Sequence, residues 1–254
     1  MALIKNNIPI LEYDTEQKAV IMPNRHKLYS FPRKAVFPFL LDEIENYAVK
    51  NSCEKIGEFV SITKIYPIYK VIHNGYEVCM CQAPLGSAAA VQILDFLIGY
   101  GVREIIAAGS CGALLDFAEN EMLIPTEALR DEGTSYHYLP PSRTIEINKR
   151  AVSAITAVMQ RLSINFELCK TWTTDGFYRE TAEMVKYRKE EVCSVVEMEC
   201  AGLAACAEFR GAVFGQILFT ADSLANIETH NDRDWGVGSY SLALKIALDA
   251  VCEL

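Results

Sequence analysis

Three carboxylates occupy places where acids are unusual. Glu197 and Glu199 lie two residues apart within Val195–Leu203, a run otherwise made of apolar and small residues, and Asp222 follows the nearly continuous apolar run Val213–Thr220. An unpaired buried carboxylate is costly and tends to neutralise, so such acids call for a polar partner. Two readings of the glutamates stay open locally. They are ligands for a polar substrate, or they occupy the first turn of the following helix, where the macrodipole favours acids. Asp222 likewise reads as a general acid at the carboxyl end of a strand or as a helix cap.

Other stretches add candidate contacts. Gly109-Ser110-Cys111-Gly112-Ala113 follows the β-rich run Arg103–Ala108. Its glycines let a ligand approach the backbone closely, with a plain tight turn as the alternative. Pro84-Leu85-Gly86-Ser87 opens a helix whose N-terminal N–H groups suit an oxyanion. Phe177 and Tyr178, just past a strand end, suit stacking on a planar ligand or packing into the core. Pro23–Lys27 is a basic turn, read first as a solvated loop and second as an anion site. In the polar and aromatic segment Arg130–Pro141, His137 alone reads as a hydrogen-bonded structural residue. The four histidines are scattered and the nine cysteines form no Cys-x-x-Cys pair, so no metal is expected and the thiols read as reduced.

The elements that must position these groups follow from periodicity. Strands are expected at Ala19–Met22, Phe59–Ile72, Glu77–Ala83, Arg103–Ala108, Glu121–Thr126, Phe166–Thr173 and Val213–Thr220, with Asn74-Gly75 as a hairpin turn. Helices are expected at Phe39–Lys50, from Ser87 to Tyr100, and at Ile147–Ser163, Thr181–Glu191 and Leu242–Cys252. The alternation predicts an α/β protein, a single domain over residues 1–254 built as a three-layer α/β/α sandwich around a central mixed sheet. With 254 residues, 51% hydrophobic and 22% charged, the composition is that of a soluble globular protein. A net charge of −9 argues against a nucleic-acid or anionic-membrane partner. The apolar runs are too short to span a bilayer and a cytoplasmic location is expected.

Taken together, Gly109–Ala113, Arg130–Tyr138, Thr174–Tyr178, Val196–Phe209 and Ala221-Asp222 resemble the nucleoside phosphorylases of the hexameric purine nucleoside and uridine phosphorylase type. The resemblance covers roughly residues 19–254. It implies that Glu199 holds the ribose 2′- and 3′-hydroxyls with Met198 against the sugar and Glu197 beside it, and that Phe177 stacks on the base with Cys111 and Gly112 along its edge. Asp222 matches the acid that protonates a purine as it leaves. Ser110 would donate to phosphate, the co-substrate, and no other cofactor is implied. The family's loop Pro-Gly-Asp-Pro, with an arginine soon after, corresponds in this reading to Pro23–Lys27, which offers Arg25. Ala107 replaces an arginine two positions before the Gly-Ser motif, and Lys64 stands where a neighbouring subunit donates another. The leading expectation is phosphorolysis of a purine or pyrimidine nucleoside to base and ribose 1-phosphate. The alternatives are a nucleosidase on the same fold and a non-catalytic nucleoside-binding protein. Copies of the chain itself, as a dimer-based homo-oligomer, are the expected partners.

Overall fold

The computed structural model describes residues 3–254. Its centre is built from apolar runs buried on both faces: β1 (Lys34–Pro38), β4 (Tyr76–Cys81), β5 (Glu104–Ala113) and β10 (Val213–Ser223). Such runs suit parallel strands covered by helices on either side. They pair accordingly, with β4 parallel to β1, β1 parallel to β5, and β5 parallel to β10. Beyond β4 the sheet continues antiparallel through β3 (Ile65–His73) and β2 (Glu54–Val60). Asn74 and Gly75, both at positive φ, make the β3–β4 turn.

On its other side the sheet curls back on itself. β10 pairs with β6 (Met122–Asp131), β6 with β8 (Phe166–Thr174), and β8 with the three-residue β9 (Val195–Glu197), while β7 (Thr144–Glu146) hangs on β6. β9 then pairs with β5 at Gly112 and Ala113, so β5, β10, β6, β8 and β9 close a ring. Because β10 holds one edge of β5, β1 and β9 must share the other. β1 pairs as far as Ala108 and β9 begins at Gly112, which leaves Gly109–Cys111 without a strand partner on that edge.

Side-chain alternation along the strands divides the core into two layers. Phe37, Ile105, Ala107 and Phe214 meet α2 (Ser87–Gly99) and α5 (Cys200–Phe209). Val36, Ile106 and Ile217 meet α1 (Glu43–Lys50), α3 (Lys149–Arg161) and α6 (Tyr240–Cys252). α4 (Ala182–Glu190) covers the ring's end, with Val185 packed with Leu129 and Trp172. All nine cysteines are unpaired. No helix among the described residues is long and apolar enough to cross a membrane.

Three expectations are corrected. Ala19–Met22 is not a strand: Val20 and Ile21 lie exposed, and the strand entering the centre of the sheet is β1, whose short apolar stretch is bracketed by Arg33, Lys34 and Pro38. The helix foreseen from Phe39 starts only at Glu43, because Leu41 takes a positive φ of 45°. Phe59–Ile72 is interrupted at Ser61–Lys64, where the Ser61 hydroxyl accepts the N–H groups of Thr63 and Lys64 and turns the chain.

Candidate active site

A cavity of about 420 Å³ opens at the unpartnered edge of β5. It gathers Ser110, Cys111 and Gly112 from β5, Glu197, Met198 and Glu199 from the β9–α5 junction, Asp222 from the end of β10, and Phe177 from the segment after β8. Residues from four separate stretches thus converge where strands end at helix starts, the usual place for a ligand in an α/β fold.

The two glutamates do different work. Glu197 Oε1 accepts the hydroxyls of Thr173 at 2.6 Å and Thr171 at 3.2 Å. Its Oε2 accepts the N–H groups of Glu199 at 2.8 Å and Cys200 at 2.7 Å. Both oxygens are committed to the protein, and Glu197 satisfies donors at the start of α5 that the helix cannot satisfy itself. Glu199 takes the Gly86 N–H at 2.6 Å on Oε1 and otherwise faces the cavity. Burial, reinforced by the neighbouring Glu197 charge, pushes its carboxyl up to about 8. Met198 is fixed through its carbonyl, which accepts the Ser87 hydroxyl at 2.7 Å.

Asp222 is 5% exposed, and its Oδ2 lies 2.7 Å from His230 Nε2. The other ring nitrogen of His230 lies 3.1 Å from Asp232 Oδ1. The hydrogen bond to Asp222 leads in raising His230 above its ordinary value of 6.5. Gly112 gives Asp222 Oδ1 its room: a Cβ there would stand 3.2 Å from that oxygen and 2.9 Å from Leu224 Cδ1. Glu180 lines the same cavity and is pushed up to about 7 by burial and then by Asp222. The Cys111 thiol is raised well above its usual value by burial, which makes it a wall rather than a nucleophile. Phe177 and Tyr178 meet edge to face at 5.0 Å, and Phe177 is 40% exposed.

The basic residues expected at a phosphate subsite are elsewhere in the chain's own fold. Arg25 lies on an exposed turn, its guanidinium reaching the Met22 carbonyl, and Lys64 sits on the exposed β2–β3 turn, three strands away from β5. Arg233 is occupied by the carbonyls of Phe117 and Ala221. Since β1 enters the sheet at Lys34, the loop beside Gly109 is Pro38-Phe39-Leu40-Leu41 and not Pro23–Lys27. Phe39 closes against Gly109, where a Cβ would stand 3.2 Å from Phe39 Cβ. Phe39 and Leu85 line the cavity, and among the described residues no lysine or arginine does. His137 stands outside the cavity, and Arg130 is buried as a brace donating to Ser135, Pro140 and Ser142. Sequence reasoning missed Phe39, Glu180, Gln216 and His230. Of these, only His230 carried a signal, as a titratable group in the charged loop after Asp222.

Residues 35–252 match the family described as the phosphorylase superfamily. The guanosine phosphorylase of Halorubrum lacusprofundi is 26% identical over 205 residues, 78% of this chain and 85% of that protein. A crystal structure of uridine phosphorylase from Vibrio fischeri superposes with a TM-score of 0.76 at 20% identity, covering 92% of this chain and 95% of the other. An AMP nucleosidase from Bacteroides thetaiotaomicron superposes with a TM-score of 0.71 at 22% identity, covering 90% and 94%.

Proposed function

The chain belongs to the phosphorylase superfamily, and from that premise we propose that it cleaves the N-glycosidic bond of a purine nucleoside with water as the attacking group. One observation carries this choice of nucleophile: Glu180, Glu199 and Asp222 line the cavity with no lysine or arginine among the described residues, and Phe39 and Leu85 occupy its wall. A phosphate dianion entering there would meet acids without the bidentate arginine contacts that usually hold it. A neutral water meets no such barrier.

Glu199 acts in its ionised form, the share of which grows as pH rises toward about 8: it accepts the ribose hydroxyls, and its charge steadies the positive character that develops on the sugar as the bond loosens. The electron pair of the C1′–N bond leaves with the base. The Asp222 carboxylate takes a proton from His230 and hands it to a purine ring nitrogen, and solvent reprotonates the half-exposed imidazole. Water adds to C1′ and releases a proton to Glu199 and from there to solvent. The products are free base and ribose, and the chemistry uses no cofactor. Phe177 gives the base a face to stack on.

Phosphorolysis is the second reading. It is favoured by the exposed Ser110 hydroxyl beside the unpartnered backbone of Gly109–Cys111, and by the activity in the names of the guanosine and uridine phosphorylases. It requires a cation from a second copy, for which the exposed Lys64 is the candidate. Incubation with a nucleoside panel, with and without phosphate, separates the readings. Free ribose at equal rates in both conditions is the expected result. Ribose 1-phosphate formed only with phosphate would replace it with the second reading.

A further inference from the structure

The cavity that holds Ser110, Glu199 and Asp222 does not end at Asp222. A second hollow of about 430 Å³ adjoins it, and the two share Phe177, Tyr178, Glu180, Asp222 and Trp235 as lining. Glu199 belongs only to the first, whereas Leu224, Ile227 and His230 line only the second. A nucleoside with its sugar at Glu199 and its base on Phe177 therefore points the far edge of that base across the Asp222–Glu180 boundary. Glu180 is half-buried there, and burial followed by the charge of Asp222 sets the state of its carboxyl, with no hydrogen bond contributing. The chemistry above leaves this acid unused. A carboxyl on a cavity wall with its hydrogen-bonding capacity unspent is placed to take a polar group of the ligand.

We infer that Glu180 reads the 6-position of the purine, its carboxylate accepting from a 6-amino group and its acid form donating to a 6-oxo group. The inference rests on the reading that this cavity holds a purine nucleoside for cleavage. Asp222 supplies its proton to N7, the free nitrogen of the ring that carries the sugar, and N7 shares an edge of the base with the 6-substituent. Beside N7 that edge presents an amino donor in a 6-aminopurine and a carbonyl acceptor in a 6-oxopurine. The group next to Asp222 on the cavity wall thus meets the atom by which the two classes differ. A carboxylate pairs with the amino group and repels the carbonyl, whereas a protonated carboxyl can donate to the carbonyl. The charged groups facing Glu180 are Asp222 at the end of β10 and His230 and Asp232 in the loop that follows. Among them Glu180 is pushed up to about 7, so both of its forms are present near neutral pH.

The test compares kcat/KM for adenosine and inosine at about pH 6 and about pH 8, on either side of the Glu180 value. Requirements common to both substrates, the Asp222–His230 proton and the ionised Glu199 included, cancel in their ratio. The adenosine-to-inosine ratio is expected to rise by about 10-fold from the lower pH to the higher, the size of one hydrogen bond to a charged group. In Glu180→Gln, whose amide both donates and accepts without titrating, the ratio is expected to be the same at both pH values. Calorimetric binding of adenine and hypoxanthine to the unmodified protein and to Glu180→Gln makes the same comparison without turnover. A ratio that does not change with pH in the unmodified protein, or a change that persists undiminished in Glu180→Gln, overturns the inference while leaving nucleoside cleavage standing. Release of ribose from neither nucleoside, with both free bases unbound, removes the purine reading of the cavity and the role of Glu180 with it.

Discussion

Asp222 Oδ2 and His230 Nε2 stand 2.7 Å apart, and Asp232 holds the opposite ring nitrogen at 3.1 Å. The aspartate is buried and the imidazole is half in solvent, so the pair joins a closed site to bulk water. Its chemical meaning is a proton store: a carboxylate on the imidazole keeps the cation to higher pH.

This arrangement predicts a specific pH profile. His230 is raised above 6.5, so its proton is present at neutral pH and is lost as pH rises through the raised value. Turnover of purine nucleosides should therefore fall on the alkaline side. In His230→Ala, kcat should drop by about 100-fold, the usual range for a lost acid-base partner, and that alkaline limb should move or vanish. A variant with an unchanged pH-rate profile would remove His230 from the proton path.

Glu199 links activity to stability in opposite senses. Its carboxyl rises from 4.5 in the unfolded chain to about 8 in the folded one, so between these values the folded protein holds a proton that the unfolded chain has lost. The resulting penalty is absent below pH 4.5, grows as pH rises, and is complete above about pH 8. Glu199→Gln removes it. Its melting temperature should match the parent near pH 4.5 and exceed it by several degrees at pH 8.5, while turnover falls by orders of magnitude. Thermal melts at both values check this, and a difference independent of pH would show that Glu199 does not carry the buried proton.

The parts of the site visible in the sequence are those where chemistry breaks a pattern. Glu199 and Asp222 interrupt apolar runs, and Ser110 sits between glycines at a strand end, so each announces itself locally. Phe39 does not, because a phenylalanine before an amphipathic helix reads as the helix's own first turn. The basic turn Pro23–Lys27 then drew the phosphate loop away from Pro38–Leu41. His230 is brought to Asp222 by a tertiary bridge, Ser223 to Asn231, that no periodicity encodes. The ring closed by β9 was equally hidden, since three residues are too few to show a strand's alternation.

Glu197 tests whether the two acids of Val195–Leu203 are separable. It accepts two threonine hydroxyls and two N–H groups at the head of α5, and the Thr173 hydroxyl in turn accepts the Ala201 N–H at 3.1 Å. Removing that carboxylate strands several buried donors at once, at about 1–3 kcal/mol for each one left unsatisfied. Glu197→Ala should therefore lower the unfolding free energy by roughly 3 kcal/mol or more, read as a lower urea midpoint with an unchanged slope. Glu199→Gln should do the reverse, keeping or gaining stability while losing turnover. The comparison is decisive because the residues are neighbours: position in the fold is shared, and only the direction of the carboxylate differs. If Glu197→Ala unfolded at the parent's urea midpoint, the division of labour between the two glutamates would be wrong.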